Sequence, residues 1–276
     1  MAASNSHIPD EPPPSYAQWD QGFPQTMKAY DCDEGKNPNT FYLCGRSNED
    51  RLYAVAIHHD QIGYIKGELL EFPGIVLHDG AEKKDPIMAA AYDERPDFRR
   101  VIYGAKSEII LWPRQLASPR GTVMNGGILS NSELMFDFNI CSEGSPGAEF
   151  GKTHYNRFSW SRAEAGDQCF KNGGFKLVQH LPENMTFHDG QTVARLIYSN
   201  PNESKSSGEM FTFQFTDQAA AVDIGAAWTL AAVITALRVY HLSTTLGSLM
   251  DVQLPETIAI LPEDRARIAA MCEDRR

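Results

Sequence analysis

Hydrophobic and polar residues alternate in short runs between about residue 41 and residue 215. Strict alternation places Phe211, Phe213 and Phe215 on one side of an extended chain. Short runs of this kind, bounded by Gly, Pro, Asn and Asp, are typical of antiparallel strands, and we count roughly ten to twelve of them. The segments are 41–44, 52–57, 75–77, 86–92, 101–103, 109–112, 134–140, 157–162, 175–178, 192–198 and 211–215.

Glycine, proline and aspartate mark the connections between these runs. Residues 113–127 and 142–152 are rich in Gly, Pro and Ser, and we expect exposed loops there. The His-Asp-Gly triplets at 78–80 and 188–190 predict turns, because Asp-Gly readily adopts the left-handed conformation that tight turns require.

The alternation ends near Asp217, and the alanine-rich residues 218–246 predict one long helix. Residues 224–237 are fourteen uncharged residues whose large apolar side chains lie all round the predicted helix, which is typical of a helix buried on every side. Fourteen residues rise only about 21 Å, whereas a hydrocarbon core is roughly 30 Å thick. We therefore favour a helix buried in protein over a membrane span.

One apolar helix after many strands predicts a mainly β fold, a closed antiparallel barrel of about 12 strands around one buried hydrophobic C-terminal α-helix. Closure removes the edge strands, and the helix fills a lumen too wide for side chains alone. We assign residues 39–248 to this barrel, with the helix at about 218–246. Residues 249–276 form a charged tail in which 265–271 can make a short helix.

Residues 1–38 contain six prolines and little apolar periodicity, so we expect a disordered arm. Within it, Pro13-Pro14-Ser15-Tyr16 fits the P-P-x-Y pattern that WW domains bind in the polyproline II conformation. Pro13, Pro14 and Tyr16 are the predicted partner-binding residues. The expected partner is a WW-domain protein such as a HECT-type ubiquitin ligase, and the alternative is a chance match in a proline-rich segment.

Charge and cysteine content narrow the function classes. The chain has 36 acidic and 25 basic residues, a net charge of −11, which opposes sequence-independent binding to nucleic acid. Its 5 cysteines are odd in number and include no C-x-x-C pair, so we expect reduced, buried thiols rather than a disulfide framework or a zinc site. The first residues lack the basic and apolar regions of a signal peptide, which favours a cytoplasmic protein; membrane-peripheral and nuclear locations are the alternatives.

Catalytic motifs are weak in this sequence. It contains no G-x-S-x-G, and the glycines at 121–127 lack a Walker lysine. The only acid–base patterns are 58–60, 78–80 and 188–190, and adjacent residues of a strand point to opposite faces, so His58 and His59 do not share a metal ion. We expect a non-enzymatic binding protein without a cofactor or metal. An enzyme that uses the His-Asp pairs at a barrel mouth is an alternative.

The order of these features resembles the tubby C-terminal-like superfamily, which includes the tubby proteins, the phospholipid scramblases and the LURP-one-related proteins. The resemblance covers roughly residues 40–248, and it implies a twelve-stranded barrel around a hydrophobic helix. The nearest branch is the LURP-one-related one, in a fungal member. The segments that carry the resemblance are 41–43 before 52–55, 77–80 before an alanine-rich strand, 158–160, 193–195 and the helix 225–242.

The resemblance also implies an alternative function at membranes. Tubby proteins bind phosphoinositides through basic residues of the barrel, but here the basic residues form only scattered pairs such as Lys83-Lys84 and Arg99-Arg100. Scramblase-like members carry an acylated cysteine cluster near the N-terminus, whereas Cys32 is a single cysteine ahead of the barrel. A membrane-peripheral phospholipid-binding or scramblase-like protein is therefore the second hypothesis.

Overall fold

The coordinates are a computed structural model of the chain. They describe residues 23–31, 39–58, 63–65, 68–70, 74–93, 106–112, 120–128, 134–141, 155–164, 167–180, 190–200, 207–217, 219 and 226–250. Most of the predicted arm and the predicted tail lie outside these residues.

Fourteen strands and one long helix form the described part of the chain. The strands are β1 (Thr26–Asp31), β2 (Thr40–Cys44), β3 (Arg51–His58), β4 (Gly63–Ile65), β5 (Glu68–Leu70), β6 (Gly74–His78), β7 (Ile87–Asp93), β8 (Lys106–Leu111), β9 (Arg120–Ile128), β10 (Leu134–Cys141), β11 (Tyr155–Arg162), β12 (Gly174–His180), β13 (Gln191–Tyr198) and β14 (Glu209–Phe215). Helix α1 is Ala226–Met250. A short 3₁₀ turn, Gln168–Phe170, precedes β12.

Twelve of the strands close into one antiparallel barrel, as the sequence predicts. Their order round the barrel is β1, β14, β13, β12, β11, β10, β9, β8, β7, β6, β3 and β2, and β2 pairs again with β1. Neighbours along the chain are therefore neighbours in the sheet, except that β1 closes the seam between β2 and β14. Strands β4 and β5 form a separate two-stranded sheet.

The cross-strand register assigns one face of every barrel strand to the interior. Residues directly opposite each other in a ladder point to the same side. Trp160 contacts α1, and the register carries its face from strand to strand round the closed barrel. All the residues of this face that stand in the following series are buried: Ala29, Leu43, Val55, Leu77, Ala89, Ile109, Met124, Phe136, Trp160, Leu177, Leu196 and Phe213.

Helix α1 lies within the barrel. Trp228 contacts Phe215 on β14, at a ring-centroid distance of 5.5 Å, and Arg238 donates a hydrogen bond to Ser107 on β8. Strands β8 and β14 stand six places apart in the order of twelve, on opposite sides of the barrel. A helix on the outer surface could not reach both. In agreement, every residue from Ala227 to Val239 is buried.

The helix matches the prediction in character but begins later and ends later than 218–246. The buried alanines of its first half keep its girth small, which lets it fit between the walls. No helix in the described residues is long and apolar enough to cross a membrane.

Two predicted loop or arm segments contain barrel strands, which corrects the sequence analysis. Residues 113–127 were expected to form an exposed loop, yet β9 occupies Arg120–Ile128 and pairs with β8 and β10. Ladder hydrogen bonds on both sides outweigh the low strand propensity of its glycines. The arm was expected to extend to residue 38, yet β1 occupies Thr26–Asp31, with Met27 and Ala29 buried. Phe23 is only 1% exposed and packs on Tyr53, so the barrel begins by this residue.

The two cysteine side chains that the structure describes are both free thiols. Cys44 is buried, as expected, and its burial raises the pKa of the thiol to about 11. Cys169 is exposed, which corrects the prediction of uniformly buried cysteines, because it lies on the 3₁₀ turn outside the barrel wall. A reactive thiolate is therefore disfavoured at Cys44.

The chain divides into two compact units, residues 1–239 and 240–276. The first contains the barrel and the helix as far as Val239. The second begins within α1, ahead of the predicted boundary at 248, and its described part is the last turns of the helix. There the hydroxyls of Ser243 and Thr244 donate hydrogen bonds to the Tyr240 carbonyl, each at 2.9 Å.

Candidate functional site

The barrel interior is a packed core in its described part. The Trp160 indole N–H donates a hydrogen bond to Thr235 Oγ1 at 3.0 Å, and Phe158 packs edge-on against Trp228. The Arg238 Nε–H donates to Ser107 Oγ at 3.0 Å, although both residues are buried. These contacts join three strands to one helix. The polar groups of the interior thus serve the attachment of helix to wall.

The predicted docking residues Pro13, Pro14 and Tyr16 lie outside the described residues. Their use as a WW ligand stays a prediction. The described coordinates do place the next part of the chain, because Phe23 is anchored in the barrel seven residues after Tyr16.

The His-Asp patterns are not brought together where the structure describes them. His78 closes β6, is buried, and lies 3.0 Å through Nδ1 from the carbonyl oxygen of Asp85. His58 closes β3 at the opposite end of the β3–β6 ladder, where it pairs with Gly74. Residues 59, 60, 188 and 189 lie outside the described part. Among the described residues, no group of three or more His, Cys, Asp and Glu side chains could hold a metal ion.

A different polar cluster lies on the outer wall, across β10, β11 and β12. Ser159 Oγ is 2.7 Å from His180 Nε2. Arg157 forms an ion pair with Asp137, with 3.5 Å between Nη2 and Oδ2. We call these four residues, Asp137, Arg157, Ser159 and His180, the outer-wall cluster.

Strand alternation and register build the outer-wall cluster. Phe158 and Trp160 point into the barrel, so Arg157 and Ser159, between and beside them, point outward. Asp137 pairs directly with Ser159, and Arg157 pairs directly with His180. Four polar side chains from three adjacent strands therefore converge on one patch of the wall.

The environment of the cluster keeps His180 neutral at physiological pH. Burial lowers the pKa of His180 below its ordinary value of 6.5, and the charge of Arg157 lowers it further, while Asp137 opposes both effects. A neutral imidazole that carries its proton on Nδ1 accepts the Ser159 hydroxyl hydrogen at Nε2. A serine hydroxyl hydrogen-bonded to a neutral imidazole is the arrangement used to activate serine nucleophiles.

Sequence reasoning missed this cluster because its members are far apart along the chain. Ser159 and His180 are separated by 21 residues and meet only through the β11–β12 register. The alternation at 157–162 already indicates that Ser159 and Trp160 face opposite sides. It does not indicate which histidine lies beside the serine.

A second polar cluster closes the barrel seam between β1 and β14. Glu209 accepts hydrogen bonds from Lys28 at 2.8 Å, Ser199 at 3.1 Å, Thr212 at 3.2 Å and Tyr30 at 3.4 Å. We call these five residues the seam cluster. Burial alone raises the pKa of Glu209, but the hydrogen bond and charge of Lys28, together with the Ser199 and Thr212 hydroxyls, outweigh it and lower the pKa.

The basic pair Lys83-Lys84 lies on the connection between β6 and β7 in an acidic setting. Lys84 is paired with Glu82 at 2.6 Å, and Asp79 and Asp85 are in the same connection. This loop therefore gives no support to an anionic-lipid site. Arg99 and Arg100 lie outside the described residues.

Comparison of the chain with protein-family models, with curated proteins and with solved structures finds no match. The arguments for function therefore depend on the chain's own residues.

Proposed function

We propose that this protein acts by binding, with its N-terminal Pro13-Pro14-Ser15-Tyr16 motif docking to a WW-domain protein and its barrel serving as the folded body that the motif presents. A HECT-type ubiquitin ligase is the kind of partner that such a motif serves. The proposal includes kinship with the tubby C-terminal-like superfamily, with which the strand number and the enclosed helix are compatible.

The observation that carries this proposal is the packed barrel interior. Small-molecule sites of barrels lie in the lumen or at its mouth, where a cavity buries the ligand. Here α1 occupies the lumen, with Trp228 against Phe158 and Phe215 and with Trp160 bonded to Thr235. A protein whose interior is committed to its own helix acts through its surface or its appended segments, and the P-P-x-Y motif is the recognition pattern that precedes the first strand.

The test is binding of the full chain to an isolated WW domain, measured by fluorescence anisotropy with the labelled WW domain. Tyr16→Ala should weaken binding at least tenfold, because the tyrosine fills an aromatic groove of the WW domain. Ser15→Ala is the matched control, because the third position of the motif is variable, and it should bind as the unaltered chain does. Equal binding by the Tyr16→Ala and unaltered chains would refute the proposal.

The barrel boundary decides which truncation is informative. A chain that lacks residues 1–38 would also lack β1 and would open the seam. Removal of residues 1–20 leaves the Phe23–Tyr53 contact intact. We expect this shorter deletion to abolish WW capture while the thermal unfolding midpoint stays close to that of the full chain.

A further inference from the structure

The outer-wall cluster has chemistry that docking through the N-terminal motif does not use. We propose that Ser159, with His180 as its base, is an acyl-accepting nucleophile for small activated carboxylic esters. This inference goes beyond the proposed docking function and does not depend on it, because none of the four residues belongs to the P-P-x-Y motif.

The geometry matches the first requirement of such a pair. The 2.7 Å separation of Ser159 Oγ and His180 Nε2 is that of a strong hydrogen bond to a proton acceptor. In the reaction, Ser159 Oγ forms a bond to the ester carbonyl carbon as its proton passes to Nε2. The bond from that carbon to the ester oxygen then breaks, and the proton leaves with the departing alcohol. Attack by water on the acyl-serine would restore the hydroxyl and release the acid.

The neighbours of the pair fit this role. Asp137 lies across the ladder from Ser159 and can stabilise the imidazolium that forms when His180 takes the proton. Arg157 lies across from His180 and is ion-paired with Asp137, which places a fixed positive charge beside the developing negative oxygen. Among the described residues, this is the cluster in which a serine and a histidine are hydrogen-bonded.

Access sets the size of the substrate. Ser159 is 1% exposed, but His180 is only partly buried and the side chain of Arg157 is 45% exposed. An acyl group must therefore approach along the imidazole edge, past Arg157. The proposal is restricted to small acyl groups for this reason.

The test is acetylation of the folded full chain by p-nitrophenyl acetate, followed by peptide mapping by mass spectrometry. We expect an acetyl group on Ser159, or release of p-nitrophenol in excess of the protein where water removes the acetyl group. His180→Gln should slow reaction at Ser159 by about a hundredfold or more, because general-base catalysis contributes at least this much. The rate in the unaltered chain should fall only as the pH drops below 6.5, the ordinary pKa of histidine, since that of His180 is lowered.

Matched variants separate activation from a structural hydrogen bond. Ser161 lies on the same outward face of β11, so Ser161→Ala should react as the unaltered chain does, whereas Ser159→Ala should lose the adduct. The urea-unfolded chain should lose the preference for Ser159. Absence of an adduct or turnover at Ser159 in the folded chain, or equal labelling in His180→Gln, would overturn the proposal. Neither result would affect the WW-binding measurement.

Discussion

The two faces of strand β11 carry different kinds of interaction. Phe158 and Trp160 point inward, are 0% exposed, and contact α1 with aromatic surface and one hydrogen bond. Arg157 and Ser159 point outward and take part in an ion pair and a hydrogen bond to neighbouring strands. The inner face supplies the apolar burial that closes the barrel around its helix, and the outer face supplies polar groups whose positions are set by the register.

This difference has an energetic side. Burial of a large aromatic side chain removes much apolar surface from water and leaves a cavity when the side chain is deleted. A partly exposed ion pair contributes about 0–1 kcal/mol, because solvent screens it and two side chains must be ordered. Stability should therefore respond strongly to changes on the inner face and weakly to changes on the outer face.

Trp160→Ala should produce the largest loss of stability, about 3–5 kcal/mol, because it creates a cavity and removes the indole donor to Thr235. The free energy of unfolding, from urea denaturation, measures the effect. Ser161→Ala, on the adjacent outward position, is the control and should change the free energy by less than about 0.5 kcal/mol. Similar losses in the two variants would contradict the assignment of the two faces.

Ala231→Leu should destabilise the barrel by about 1–3 kcal/mol, because added methyl groups overfill a packed core. Ala231 is fully buried, and its carbonyl accepts the Thr235 hydroxyl at 2.7 Å. Thr244→Leu makes a comparable increase in size on the same helix at an exposed position, and it should have little effect. Tolerance of leucine at position 231, seen as an unchanged urea midpoint, would mean that the lumen has unfilled space.

Periodicity was sufficient to predict the strands whose inner positions carry large side chains. In β14 the phenylalanines at 211, 213 and 215 are all buried, as their alternation indicates. The enclosed helix was also predictable, because 224–237 contain no charge and the apolar residues surround the axis. The barrel closure followed from these two features together.

The parts that were missed depend on contacts between distant residues. Strand β9 includes Gly121, Gly126 and Gly127, which leave no alternating side-chain pattern to detect, and its strand character comes from its two partners. The outer-wall cluster depends on the register of β11 with β12, which a pattern in one strand does not define. The seam cluster likewise joins residues that are 181 positions apart, Lys28 and Glu209.

Glu209→Gln tests the outer face at its most connected point, and it should cost about 1 kcal/mol. Hydrogen bonds to a charged group contribute more than neutral ones, but the side chains of Glu209 and Lys28 are 20% and 37% exposed, so solvent screening reduces the effect. Glu164→Gln is the matched control, because its carboxylate is 85% exposed and lies 3.5 Å from Lys176. The control should not change the urea midpoint measurably.

The dependence on pH distinguishes the charge of Glu209 from its packing. Because the pKa of Glu209 is lower in the folded chain than its ordinary value of 4.5, its contribution is fully present above that value and is lost as the pH falls through the folded pKa. The stability difference between the unaltered chain and Glu209→Gln should therefore be greatest near neutral pH and should shrink on acidification. A difference that stays constant from neutral to acidic pH would mean that the seam is stabilised by the shape of the side chain. The outer wall would then resemble the inner face more closely than its hydrogen bonds indicate.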